Sequence, residues 1–223
     1  MKTKKRRKRK LRIGRLFLLL ISVTIIYFLC IKLSEIKISN IIIKGNNLLT
    51  DIEIIKEAKL EDYPSYFKTF TYTIKNRLKH NPYINEVKVT KGIFSIKINI
   101  VENKVLYIKK STNEKVTINS VFNDEKTVCA PFLINEVPSD KIEKFKNAMN
   151  KIDDDMLCQI SEIKYDPNDI DKDRYYLNMN DGNGVYLTVN KFKKINNYNK
   201  ILENVGKQNG ILYLDYGDYF KAY

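Results

Sequence analysis

The sequence predicts an α+β protein with a single transmembrane helix followed by two domains, the second built on a mainly antiparallel sheet. Three observations support this prediction. Residues 16–31 form an uncharged apolar run, residues 34–104 follow the order strand, helix, helix, strand, strand, and residues 105–223 mix strands with two helices. The chain is therefore expected to divide into a tail (1–15), a membrane helix (16–33) and domains at 34–104 and 105–223.

The apolar run has the length and composition of a membrane span. It contains no charge, proline or glycine between Leu16 and Ile31. If Arg15 and Lys32 extend their charged ends toward water, the span grows to residues 13–33, a helix of about 31 Å against a hydrocarbon core of about 30 Å. A single segment that crosses lipid must satisfy its own backbone groups, so it must be a helix.

Positive charge is concentrated in the tail before this helix. Ten of the 40 basic residues lie in residues 1–15 with no acidic residue, which leaves 30 basic and 26 acidic side chains elsewhere. The balance in the rest of the chain argues against nucleic acid as a partner. The tail favours a cytoplasmic N-terminus, with residues 34–223 outside. A lipid- or nucleic-acid-binding patch is the alternative for the tail, and a cleaved signal peptide is disfavoured because no small-x-small site follows the apolar run.

The first domain opens with a strand and a well-marked helix start. The β-branched stretch 36–44 predicts a strand that Gly45 ends. Thr50 and Glu53 then fit a capping box, with Thr50 as the N-cap. A helix is expected over about residues 51–59.

A second helix and a hairpin complete the first domain. Four apolar residues recur at helical spacing and predict a helix that ends before Pro82: Phe67, Phe70, Ile74 and Leu78. Two strands follow, joined by a turn at Lys91-Gly92. The second strand alternates with one apolar face, formed by Phe94, Ile96, Ile98 and Ile100.

This order of elements resembles a POTRA domain, and its place after a basic tail and one anchor resembles the FtsQ/DivIB family of bacterial cell-division proteins. Residues 41–50 (IIIKGNNLLT) are similar to the family's strand-Gly-Asn-helix entry, and Asn81-Pro82-Tyr83-Ile84 with Val87-Lys88-Val89 to its helix exit and next strand. The family often carries Arg and Pro in the hairpin turn, where this chain has Lys91-Gly92-Ile93.

The sequence of the second domain predicts two hairpins, two helices and a last strand. The predicted hairpins are 105–110 with 116–119, and 174–180 with 185–189. One helix starts at Pro138-Ser139-Asp140, and the other ends at Gly206. The last strand is expected at Ile211–Tyr216, and the stretch 210–217 is similar to the close of the family's β domain.

The sequence offers little material for catalysis. The one histidine, His80, lies at a predicted helix end. Ser65-Tyr66-Phe67-Lys68 matches one penicillin-binding motif, but its companion motifs are absent from the sequence. Asp169–Asp173 begins like a calcium loop, but Arg174 stands where the loop needs glycine. Cys129 and Cys158 could form a bridge on an oxidising face, although two small buried thiols are the preferred interpretation.

The resemblance implies a non-enzymatic protein without a cofactor, which acts in the divisome at the septum. It implies binding to FtsL-like and FtsB/DivIC-like bitopic proteins and indirect support of septal peptidoglycan synthesis. A terminal strand at a sheet edge can take up a partner strand, and aromatic side chains anchor interfaces. The expected partner-binding residues are Ile211, Leu212, Tyr213, Leu214, Asp215, Tyr216, Tyr219 and Phe220. The alternative is a membrane-anchored extracytoplasmic envelope enzyme or ligand-sensing domain, which would gather carboxylates in a pocket.

Overall fold

The computed structural model describes residues 13–205 and 208–223, so the predicted basic tail lies almost wholly outside the described residues. Helix α1 covers Ile13–Glu35 and is long and apolar enough to cross a membrane. Its side chains from Gly14 to Lys32 are exposed, as expected of a helix whose neighbours are lipid rather than protein. The helix predicted at 16–33 is confirmed.

The described chain, including α1, divides into two compact units. The first takes in residues up to Gly45, Thr50–Leu78 and Val87–Ile100. The second takes in Asn46–Leu49, Lys79–Glu86 and Val101–Tyr223.

The strand-helix-helix-strand-strand order predicted for the POTRA-like region is confirmed. Its elements are β1 (Asn40–Lys44), α2 (Asp51–Ala58), α3 (Thr71–Leu78), β2 (Ile84–Lys91) and β3 (Ser95–Glu102). They form a three-stranded sheet in the order β1-β3-β2, with β1 and β3 parallel. The predicted alternation holds for Ile96, Ile98 and Ile100, which are all buried in the core with Ile54 and Ile74 of the two helices.

The capping box predicted at the start of α2 is present. The hydroxyl of Thr50 accepts a hydrogen bond from the backbone N–H of Glu53 at 3.3 Å, and the Glu53 carboxylate accepts one from the backbone N–H of Thr50 at 2.7 Å. These two bonds satisfy donors that the first turn of a helix otherwise leaves open.

The spacing of Phe67 and Phe70 predicted a helix at these two residues, and this prediction is wrong. The helix begins only at Thr71, so Phe67 and Phe70 lie outside it and are 45% and 64% exposed. Ser65 also lies before the helix, and its backbone forms a bridge with Lys37. Phe94 also departs from the expected buried face and is 39% exposed.

Within the described residues, the second unit contains a sheet of nine strands, and its mainly antiparallel pairing is as predicted. Its strands are β4 (Tyr107–Lys109), β5 (Lys115–Val116), β6 (Val121–Phe122), β7 (Phe132–Leu133), β8 (Ile160–Tyr165), β9 (Arg174–Met179), β10 (Gly184–Thr188), β11 (Gly210–Tyr213) and β12 (Tyr219–Ala222). Their order is β12-β11-β10-β9-β8-β7-β4-β5-β6. Helices α4 (Ile142–Met149), α5 (Asp154–Leu157) and α6 (Tyr198–Val205) and a 3₁₀ segment (Val189–Asn197) complete the unit.

The core of this unit is centred on aromatic rings. Phe145 of α4 stacks on Tyr175 of β9 with ring centroids 4.7 Å apart, and Phe192 packs edge-on against both. Burial raises the pKa of Tyr107 to about 12, because ionising a phenol away from water is costly. The two predicted hairpins are present as β4–β5 and β9–β10. Gly206, the predicted end of α6, lies outside the described residues.

The two cysteines of this unit form a disulfide, which corrects the expectation of two buried thiols. Cys129 and Cys158 are both exposed, and their Cα atoms lie 5.2 Å apart, within the normal range for a disulfide. Sequence alone gave no distance between them.

Candidate partner-binding edge

The strand that closes the sheet is not the one predicted. The strand expected at Ile211–Tyr216 ends at Tyr213 as β11, and a turn then leads into β12. Strand β11 pairs in parallel with β10 and antiparallel with β12, so it lies inside the sheet. Among the described strands, the free edge at this end of the sheet is therefore β12, which contains Tyr219 and Phe220.

The pairing of β12 shows which of its backbone groups face outward. The N–H of Tyr223 donates to the carbonyl of Asn209 at 3.1 Å, which makes these residues a hydrogen-bonded pair. Hydrogen-bonded and non-hydrogen-bonded pairs alternate along an antiparallel ladder. The register then directs the N–H groups of Tyr219 and Lys221 toward β11 and those of Phe220 and Ala222 toward the open side.

Two of the predicted site residues belong to the core. Leu212 and Leu214 are only 1% and 2% exposed, so their side chains cannot meet a partner directly. Ile211 is half-buried, and Phe220 packs partly against the same core. These residues hold β11 and β12 in place beneath the edge.

Asp215 is committed to an internal ion pair. Its carboxylate accepts a hydrogen bond from Nε of Arg174 at 2.7 Å, and both side chains are largely buried. Arg174 also pairs with Asp166 at 3.0 Å and lies with its guanidinium carbon 3.5 Å from the ring centre of Tyr186. Asp215 therefore fixes the turn between the last two strands, and we do not retain it as a partner contact.

A ladder of four tyrosine rings crosses the outer face of this part of the sheet. Tyr176, Tyr186, Tyr213 and Tyr219 are cross-strand neighbours on β9, β10, β11 and β12. Successive ring centroids are 4.6, 5.4 and 4.6 Å apart. The ladder ends at Tyr219, which is 51% exposed, so the next strand at the edge would meet an aromatic surface.

Sequence reasoning found only half of this ladder. Tyr213 and Tyr219 were predicted, whereas Tyr176 and Tyr186 were missed. Their alternation with buried neighbours was a usable signal, because Tyr175, Leu177, Val185 and Leu187 all face the core. Tyr216 is 83% exposed in the turn before β12, beside the ladder in sequence but not part of it.

The described residues give little support for a metal site or for a carboxylate-lined pocket. The described residues contain no group of three or more His, Cys, Asp or Glu side chains placed to hold a metal ion. A cavity of about 740 Å³ lies in the second unit beside β4, β7 and α4, and the one carboxylate in its described lining is Glu136.

Comparisons with known proteins agree with the resemblance seen in the sequence. Residues 36–105 match the model of the POTRA domain, FtsQ-type. The chain is 31% identical to cell division protein DivIB of Listeria monocytogenes over 93% of this chain and 79% of that protein. It is 30% identical to the DivIB protein of Bacillus anthracis over 92% of this chain and 79% of that one.

A solved structure gives a weaker likeness. The major extracytoplasmic domain of the trans isomer of DivIB from Geobacillus stearothermophilus is 24% identical, over 48% of this chain and 98% of that chain. Its TM-score of 0.38 is too low to compare the folds. On the strength of these two relatives, the chain belongs to the DivIB family of bacterial cell-division proteins.

Proposed function

We propose that this protein is a non-catalytic scaffold of the divisome that takes up a partner strand at the free edge of β12. The partners are small bitopic division proteins of the FtsL and FtsB/DivIC kinds, and the outcome is support of septal peptidoglycan synthesis. The observation that carries the proposal is the open edge of β12, whose outward N–H groups at Phe220 and Ala222 lie beside the end of the tyrosine ladder.

Strand addition suits this edge for two physical reasons. Backbone hydrogen bonds to the outward groups of β12 give affinity without demanding particular side chains. Specificity then comes from the side chains, since a residue placed beside Tyr219 would continue the ladder as a fifth ring or as a stacked arginine.

The proposed setting is the outer side of the cell membrane at the division septum, with the N-terminus in the cytoplasm. The basic tail before α1 supports this orientation. The exposed disulfide between Cys129 and Cys158 also supports it, because disulfides persist in oxidising compartments.

The test compares two neighbouring prolines in the full-length chain. Ala222→Pro removes an outward donor, whereas Lys221→Pro removes a donor that bonds β11. We expect Ala222→Pro protein to fold and reach the membrane, to pull down less of the co-expressed FtsB/DivIC-like partner and to leave cells filamentous. Lys221→Pro should reduce the amount of folded protein instead. Normal partner recovery with folded Ala222→Pro protein would show that β12 is not the docking edge.

A further inference from the structure

The end of the first unit nearest to α1 is tied by backbone hydrogen bonds to the residues that leave this helix. The N–H of Ile38 donates to the carbonyl of Pro64 at 3.1 Å, and the N–H of Tyr66 donates to that of Ile36 at 2.8 Å. Since α1 ends at Glu35, an extended chain places Lys37 no more than about 7 Å beyond the helix. The apolar span ends near residue 33, about 3 Å before the end of α1, so the segment paired with Lys37 lies no more than about 10 Å beyond the hydrocarbon core. It therefore lies at the outer edge of the lipid headgroups, which extend some 5–7 Å beyond that core.

A cationic cavity opens beside this segment. Its volume is about 310 Å³, and its described lining holds three cations and no carboxylate. The polar residues that line it are Lys59, Ser65, Lys68, Thr69, Thr73 and Arg77. This composition suits a phosphate group, which needs cations and hydroxyl donors together.

The cations of this cavity are largely uncommitted. Arg77 donates one of its five N–H groups, to the carbonyl of Ala58 at 2.9 Å. Within the described residues, the side chains of Lys59 and Lys68 form no hydrogen bond or ion pair. Three neighbouring cations repel one another, so an anion between them lowers the electrostatic energy of the unit.

Ser65 supplies an independent sign of a missing ligand. Its Oγ is buried and has no hydrogen-bond partner in the described part of the chain. A buried hydroxyl without a partner is costly, and natural proteins rarely keep one. Because Ser65 lines the cavity, a phosphate bound there would supply the kind of partner that this hydroxyl lacks.

Exposed apolar side chains surround the same end of the unit and form what we call the membrane-proximal face: Tyr63, Phe67, Phe70, Ile93 and Phe94. They are between 39% and 89% exposed. The turn that carries Ile93 and Phe94 is fixed to the chain leaving α1, because the N–H of Ser39 donates to the carbonyl of Phe94 at 2.7 Å. Aromatic residues next to cations are typical of protein surfaces at the membrane interface.

Two of these aromatic residues hold an unfavourable backbone conformation. Tyr63 and Phe94 have φ angles of 47° and 49°, in the left-handed region where glycine would be free of strain. A bulky exposed side chain in such a conformation suggests that the side chain is needed there.

We propose that the membrane-proximal face lies on the bilayer surface and that the cavity binds the phosphate of an anionic phospholipid headgroup. The proposal rests on the anchoring by α1 that is part of the proposed function, but it is independent of the partner edge at β12. The apolar side chains enter the interface, while the cavity selects the charge of the lipid.

The test uses the full-length chain in lipid nanodiscs. An environment-sensitive dye is attached at Ile93→Cys in a Cys30→Ser background, and a dye at Ile170→Cys in the second unit serves as the control, since both isoleucines are 89% exposed. Discs of phosphatidylcholine receive increasing fractions of phosphatidylglycerol, with brominated lipids as quenchers. We expect quenching at position 93 to rise with phosphatidylglycerol, and quenching at position 170, which belongs neither to the cavity nor to the membrane-proximal face, to change less.

A matched pair of lysine variants separates the cavity from diffuse charge. Lys68→Gln should raise the phosphatidylglycerol fraction at half-maximal quenching about five-fold, the effect of one lysine near a membrane surface. Lys75→Gln removes the same charge from α3 outside the described lining and should change it less than two-fold. Equal effects of both variants would overturn the cavity as the binding site.

Two further variants show whether a weaker response to phosphatidylglycerol is caused by misfolding. Ser65→Ala and Tyr63→Gly should leave the thermal midpoint unchanged or higher, because they remove an unpaired hydroxyl and a strained conformation, yet weaken the response to phosphatidylglycerol. No response to phosphatidylglycerol in the unmodified protein would overturn the proposal. Displacement of the face by 10 mM inorganic phosphate would also overturn it, in favour of free phosphate as the ligand. Partner recovery should be normal in Lys68→Gln, which distinguishes this failure from failure of the proposed function.

Discussion

Replacing Asp215 tests whether this residue is structural, as its ion pair indicates, rather than part of the partner surface. Asp215→Asn keeps one hydrogen bond to Arg174 but removes the charge. Breaking a buried ion pair costs about 3–5 kcal/mol, but Asp166 still pairs with Arg174 and the amide oxygen still accepts a bond. We therefore expect a loss of about 2 kcal/mol in the free energy of unfolding.

The same turn offers a matched control. Asp218 pairs with Lys194 at 2.6 Å, but both side chains are about half exposed. Exposed pairs contribute about 0–1 kcal/mol, so Asp218→Asn should cost less than about 0.5 kcal/mol. Asparagine also tolerates the positive φ of 46° at this position.

Urea unfolding of the full chain in detergent micelles, followed by the near-UV circular dichroism of tyrosine, measures both variants. With a slope near 2 kcal/mol per molar urea, Asp215→Asn should lower the midpoint by about 1 M and Asp218→Asn by less than about 0.3 M. Equal midpoints for the two variants would refute the reasoning, and normal stability with lost partner binding would return Asp215 to the docking surface.

Three further predictions concern stability. Thr50→Ala should cost about 1 kcal/mol through loss of the N-cap of α2, measured by thermal unfolding, and an unchanged midpoint would contradict the role of the cap. Replacing Cys129 and Cys158 by alanine removes a bridge between residues 29 positions apart and should lower the free energy of unfolding in urea by about 3–4 kcal/mol. Equal stability with and without reductant would exclude the bridge. Hydrogen bonds from the side chains of Lys141 and Lys144 lower the pKa of Asp173, and the bond from Lys141 has the larger effect. The stability that the Asp173 carboxylate contributes to the folded protein should therefore be fully present above its ordinary pKa of 3.8. It should be lost as the pH falls from 3.8 toward the lower pKa of the folded state, and Asp173→Asn should reduce this acid dependence.

Local signals in the sequence predicted the membrane helix and most elements of the first domain. The capping box at Thr50, the apolar alternation of Ile96, Ile98 and Ile100 and the run of α1 each depend on neighbouring residues, and all three were confirmed. The spacing of Phe67 and Phe70 matched a helix by chance. Backbone pairing of residues 64–66 with 36–38 overrides that spacing, and no local pattern contains a pairing between segments so far apart.

The candidate site was predicted less completely because it depends on strand order. The sequence placed a strand near Ile211 and aromatic residues after it, and both are present. Whether a strand is internal or at an edge is decided by partners elsewhere in the chain, here β10 and β12. Which tyrosines become neighbours in the ladder depends on the registers of three strand pairs. Alternation along a single strand could show that Tyr176 and Tyr186 each face away from the core, but it could not show that their rings are in contact.

Amide hydrogen exchange along β12 tests the central claim most directly. The full chain in micelles is compared with and without the co-expressed FtsB/DivIC-like partner, and exchange is read residue by residue. The outward N–H groups of Phe220 and Ala222 should exchange at least about ten-fold more slowly in the complex, whereas those of Tyr219 and Lys221, already bonded to β11, should change little. Unchanged exchange at Phe220 and Ala222 in a formed complex would contradict docking by strand addition at this edge.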